Sequence, residues 1–205
     1  MTRILLLIAA SSLTLTACQS ATSRYMASST EVKRAIVEYE ITGLSYNDAV
    51  DAISEATRRT VRRVNIQGNL GSADLPTAPG RIELVDPFAG TNMSGFAALA
   101  GAGALQMAHC PDARLVITAT DDTWASHGES AQYTNCLWEY EGGLRFATYS
   151  AYTEQRGMSM EQLVRQAAEP LLGDSQALIE RSHAEILARL ASQGAQVSEV
   201  SRRES

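Results

Sequence analysis

Two alternating stretches, Tyr133 to Glu141 and Leu144 to Thr153, are separated by Gly142-Gly143. Glycine reaches positive φ without a Cβ clash, and a two-residue hairpin turn demands that conformation. The pair therefore predicts an antiparallel hairpin, which must bury its apolar face against further strands or a helix to be stable. Trp138, Tyr140, Phe146, Tyr149 and Tyr152 crowd into these strands. Such rings serve as core and cross-strand packing, and a row left exposed would be a binding face.

The flanking sequence supplies the partners. Ala35 to Thr42 alternates, with Val37, Tyr39 and Ile41 on one face and Glu38 and Glu40 on the other. Ser45 precedes Asp48 by three residues, resembling a capping box, and Ala49, Val50, Ile53, Ala56 and Thr57 recur at helical spacing as far as Thr60. Val61 to Ile66, Arg81 to Asp86 and Ala113 to Thr120 read as strands, and Gly68 to Gly80, with Pro76 and Pro79, as a loop. Phe96 to Met107, rich in Ala, Leu and Gly, is compatible with a helix or a packed loop. Ser159 opens a helix carrying Leu163, Val164, Ala167 and Leu171 on one face, kinked or ended at Pro170. Ser175 opens another, with Leu178, Ile179, Ile186, Leu187 and Leu190 inward and Gly194 as its stop. This order predicts an α+β fold: a single antiparallel sheet with helices packed on one face and helices at the C-terminal end. Residues 31–194 form one globular domain in this reading, and 195–205 a frayed polar tail.

Ahead of the domain lie Arg3, the apolar run Ile4 to Ala10, and a small-residue exit ending in Ala17. Residues 1–17 are a secretory signal peptide by this pattern, and the apolar run falls short of the ~20 residues of a spanning helix. The exit Leu15-Thr16-Ala17-Cys18 resembles the lipobox of bacterial lipoproteins. The resemblance covers only the leader and implies cleavage before Cys18, a diacylglyceryl thioether on its sulfur, and attachment to a membrane by lipid. Gln19 in place of Asp implies, by the same resemblance, the outer membrane facing the periplasm. Residues 18–30, rich in Ser, Thr and Ala, then read as a flexible tether.

The composition, 45% hydrophobic and 20% charged, is that of a globular protein. The net charge of −6 becomes −7 when Arg3 leaves with the leader. An acidic chain whose densest basic group is Arg58, Arg59, Arg62 and Arg63 argues against nucleic acid as a partner. That group sits at a helix end, where the dipole favours cations.

Export places Cys110 and Cys136 in an oxidising compartment, and they are expected to form a disulfide. His109 and His127 could join them in a metal site, but the spacing matches no compact ligand motif, so no metal is expected. Nucleophile motifs and a phosphate loop are absent, and the chain has one lysine, Lys33. Asp121-Asp122 and the Glu139/Glu141 pair read as ordinary acidic residues, and His183 as a solvated helix residue. No catalytic or cofactor residue is assigned. The favoured function is a membrane-tethered binding or assembly module that meets another envelope protein. The alternative is a periplasmic enzyme or small-ligand-binding protein with its site near the Asp121–His127 loop and the aromatic hairpin. A concave pocket with shifted titratable groups favours the alternative, and a flat apolar patch the former.

Overall fold

The computed structural model describes residues 29–68, 74–88, 90–91, 106–121, 131–156 and 175–205. They include strands β1 (Ser29–Thr42), β2 (Arg63–Gly68), β3 (Glu83–Val85), β4 (Met107–His109), β5 (Leu115–Asp121), β6 (Ala131–Tyr140), β7 (Gly143–Arg156) and β8 (Gln196–Glu204). Helices α1 (Tyr46–Thr60) and α2 (Ser175–Ser192) complete the set. Val32–Thr153 and Asp174–Ser205 form one compact unit. Of the other, Met1–Glu31 with Glu154–Gly173, only strand ends of β1 and β7 are described. The leader, nearly all of the tether and the helix expected from Ser159 lie outside the described residues.

The hairpin forms and occupies the middle of a six-stranded sheet ordered β2-β5-β6-β7-β1-β8. Tyr140 pairs with Gly143, so the turn residues are Glu141-Gly142, one position ahead of the Gly142-Gly143 expected. Gly143 instead opens β7 at φ 138°, where a Cβ would meet the Ile41 carbonyl at 3.2 Å. Both glycines are used, but only one lies in the turn.

Helix α1 starts where the capping residues put it. The Ser45 hydroxyl accepts from the Asp48 amide at 3.3 Å, Asp48 lies in the first turn, and Arg58 and Arg59 lie in the last. Ala49, Ala52, Ile53, Ala56 and Thr57 are its buried stripe. In α2 the stripe is Ser182, Ile186 and Leu190, and Gly194 ends the helix region at φ 94°. Thr60 donates to the Ser182 hydroxyl at 2.8 Å, linking the two helices.

Two expectations fail. The sheet is not single, because β3 and β4 pair as a separate two-stranded ribbon. Three-residue strands carry too little alternation to be assigned to any sheet from sequence. The tail is not frayed, because β8 pairs antiparallel with β1 from Ala35↔Glu204 to Thr42↔Gln196, across a bulge at Glu38/Tyr39. An edge strand is held by its backbone ladder, so a polar sequence such as Ser198, Glu199, Arg202 and Arg203 does not prevent it and is what edges usually carry.

Apolar side chains collect in two clusters. The larger joins Val37, Tyr39 and Ile41 of β1, Leu115 and Ile117 of β5, Leu137 and Phe146 of the hairpin, and the stripes of α1 and α2. The smaller joins Ile36, Cys136, Trp138, Ala147 and Tyr149 with Ala108 of β4 and with Ile82, Cys110 and Ala113 from the connecting segments. Glu38 and Glu40 share strand parity with Ile36 but are not left to solvent. Arg145 donates to Glu40 at 2.8 and 3.0 Å, Tyr140 also donates to Glu40, and Arg203 reaches Glu38 at 3.1 Å.

Candidate functional site

Along β6 and β7 the residues of the larger cluster's parity change character with distance from the turn. On β7 the order is Leu144, Phe146, Thr148, Ser150, Tyr152; across the register, Leu137 faces Phe146, Asn135 faces Thr148 and Tyr133 faces Ser150. The rows nearest the turn are apolar. The next rows carry hydroxyl and amide groups, although Tyr133, Asn135, Thr148 and Ser150 are all buried. A buried polar row is costly unless its groups find partners.

A cavity of about 430 Å³ opens beside these rows, lined by Tyr133, Thr148, Ser150 and Tyr152 together with Val37 of β1, Ile179 and His183 of α2, and Arg202 of β8. Three of its lining residues keep a buried polar atom without a hydrogen-bond partner: the Tyr133 hydroxyl, Thr148 Oγ1 and His183 Nε2. Thr148, Ser182 and Asn135 neighbour the Tyr133 hydroxyl, yet none completes a well-formed bond with it. Burial pushes the Tyr133 phenol up to about 12. The Tyr152 hydroxyl donates to Gln176 Oε1 at 3.1 Å at the cavity wall.

His183 is not the solvated residue expected. Its ring meets Tyr39 edge-on at 5.2 Å, and burial, reinforced by the Arg202 guanidinium, lowers its pKa to about 4. Tyr39 donates to Glu199 at 3.3 Å and is raised to about 12 by burial and by that carboxylate. Arg202 grips Glu199 through two bonds of 3.0 and 2.8 Å and reaches Glu204 at 3.3 Å. A helix position next to Arg181 gives no hint of this, because the burial comes from β1 and β8.

The other candidates lie elsewhere. Cys18 and residues 122–130, including His127, are outside the described residues, and Asp121 ends β5. Cys110 and Cys136 lie at disulfide distance with Cα atoms 6.3 Å apart, in the smaller cluster and away from the cavity lining. Among the described residues no group of three His, Cys, Asp or Glu side chains could hold a metal, and His109 lies 4.0 Å from the Glu83 carboxylate. Glu139 pairs with Arg114, which also stacks over Tyr46 at 4.5 Å. The hairpin aromatics are core: Trp138, Phe146 and Tyr149 are at most 2% exposed. Trp138 donates to the Pro111 carbonyl at 2.7 Å and Tyr149 to that of Gln106 at 3.2 Å. Of the five singled out, Tyr152 alone lines the cavity.

No protein-family model matches the chain, and no curated protein matches it. Among solved structures, a conserved protein from Geobacillus kaustophilus is similar at 12% identity and a TM-score of 0.30, over 82% of this chain and 99% of that one. A likeness of that grade carries neither fold nor function to this chain.

Proposed function

We propose that this protein is a lipid-anchored envelope protein whose α+β domain binds a small polar ligand in the cavity beside β6 and β7. One observation carries the reading: a space of about 430 Å³ beside the sheet is lined by the hydroxyl-bearing Tyr133, Thr148, Ser150 and Tyr152 together with His183. In this reading the helices pack on one face of the sheet, α2 walls the cavity, and the segments around Ile82 and Cys110 cover the other face.

Binding fits the titration behaviour better than proton transfer does. A general base works best with a pKa near the working pH, whereas His183 lies near 4 and Tyr133 near 12. At neutral pH both are uncharged hydrogen-bonding groups. The lipobox cysteine Cys18 would tether the domain, with Gln19 directing it to the outer membrane facing the periplasm.

A second reading, docking of another envelope protein, is favoured by the exposed Leu84, Val85 and Met107 of the β3–β4 ribbon, each 37–44% accessible. The deciding experiment purifies the acylated protein from native membranes, denatures it, and identifies released small molecules by mass spectrometry. A compound released by the wild type and absent from Thr148→Val/Ser150→Ala supports the ligand reading. A protein subunit captured equally by both, with no small molecule, supports docking.

A further inference from the structure

The exposed apolar residues of the β3–β4 ribbon gather at its open end. Glu83 pairs with His109, Leu84 with Ala108 and Val85 with Met107, so Val85 and Met107 are the last pair, where β3 leaves and β4 arrives. Ala108 packs against the smaller cluster, and strand alternation turns Val85 and Met107 to the opposite face, where both are exposed. Leu84, across from Ala108, is exposed as well. Resting on the lipid-anchored reading above, we infer that Leu84, Val85 and Met107 form a second membrane contact, entering the headgroup region of the bilayer that holds the anchor.

Position favours a bilayer as the occupant. The Tyr149 hydroxyl donates to the carbonyl of Gln106, the residue before Met107, and the Arg34 guanidinium lies beside the same phenol. Arg34 is two residues from Val32, where the chain leading back to Cys18 leaves this compact unit. The open end of the ribbon and the exit toward the anchor are therefore neighbours. Val32 follows Cys18 by 14 residues, a reach of no more than about 50 Å, so a lipid on Cys18 keeps that end close to the membrane.

Composition favours lipid over protein. From Pro87 to Ala108 the chain has no Asp, Glu, Lys, Arg or His, whereas 20% of these 22 residues would be about four charged side chains. Ala89 and residues 92–105 lie outside the described residues, and the contact proposed is the ribbon alone. Protein interfaces draw most of their binding energy from Trp, Tyr and Arg anchors, and β3 and β4 contain none. The adjoining charges, Glu83 and Asp86, are acidic, so the attraction is apolar burial and needs no anionic lipid. Three side chains give a weak, reversible contact, which orients the domain while the acyl chains hold it.

The test places the full acylated chain, its Cys18 modification checked by intact mass, in phosphatidylcholine vesicles with brominated acyl chains, which quench an indole on contact. Tryptophan replaces Val85 or Met107, and the exposed Asn47 at the start of α1 as control for the membrane affinity of indole itself. After subtraction of the wild-type signal, quenching is expected at 85 and 107 but not at 47, equally at low and high salt. Adding Met107→Ser to Val85→Trp should lower the ratio of inserted to free ribbon by about tenfold. Each replaced side chain is exposed, so melting temperatures should match the wild type; if Val85→Trp unfolds, Met107→Trp carries the test. Equal quenching at 47 and 85, or none at 85 in an acylated, vesicle-bound chain, overturns the ribbon contact and leaves the anchor standing. Absence of quenching with photo-crosslinking from position 85 to an envelope protein or a second copy overturns it in favour of docking. An unacylated chain still quenched at 85 on added vesicles supports the contact and overturns the anchor, and one without quenching overturns both.

Discussion

His183 carries the chain's clearest acid sensitivity. Its folded pKa near 4 lies below the ordinary 6.5, so between these values the unfolded chain binds the proton more readily than the folded one. Stability therefore falls as pH drops through that window and levels off below about 4, a total of about 3 kcal/mol from this residue. Tyr39 and Tyr133 stay protonated throughout, and Arg202 stays charged. Glu199, held below its ordinary 4.5 chiefly by its bonds from Arg202, adds its loss only as pH falls below the carboxylate range. Urea unfolding at pH 7 and pH 4.5 should show the wild type losing about 2–3 kcal/mol more than His183→Phe. Equal losses in the two proteins would show that the imidazole does not enter the fold uncharged. A second residue effect concerns Gly80, where a Cβ would fall 2.7 Å from Trp138 Cδ1. The indole is fixed by its bond to Pro111, so it cannot swing aside, and Gly80→Ala should cost about 1–3 kcal/mol in thermal unfolding.

At the scale of elements, the hairpin is both the centre of the sheet and the junction of its two clusters. Trp138→Ala should cost about 3–5 kcal/mol, since the ring is 2% exposed among Ile36, Ile82 and Tyr149. Ligand binding per folded molecule should be unchanged, because Trp138 is not in the cavity lining; loss of binding without loss of stability would reverse that placement. Replacing both Cys110 and Cys136 by Ala should remove about 3.5 kcal/mol if they are bonded, the loop entropy for a separation of 26 residues. These elements were legible in the sequence because each combined a period with a boundary: Ser45 and Asp48 ahead of the α1 stripe, glycines between two alternating runs, Gly194 after α2. What was not legible lacked one or the other. Strand β8 has only Val197 and Val200 among charges and serines, and it is fixed by pairing with β1 from far along the chain. The cavity had a faint sequence signal, the change from Leu144 and Phe146 to Thr148, Ser150 and Tyr152 at every second position of one strand. Its remaining walls, Val37, His183 and Arg202, come together only through tertiary pairing.

For the whole molecule, the proposed anchor and the proposed cavity make separable demands. A lipid tether confines the domain to a surface, and each buried methylene adds about 0.8 kcal/mol, so two or three acyl chains hold it almost permanently. No described helix is long and apolar enough to cross a membrane, and the proposed attachment rests on Cys18. Cys18→Ser removes the acceptor thiol and leaves the sequence of the sheet, the helices and the cavity lining unchanged. The expected outcome is a protein either released from the membrane or retained as a precursor with its leader uncleaved, read by fractionation and intact mass. Its domain should keep the wild-type melting temperature and, if the cavity reading is right, the wild-type affinity for the same small ligand. A Cys18→Ser protein that is processed normally and stays fully membrane-bound would refute the lipoprotein assignment while leaving the cavity to be judged on Thr148 and Ser150.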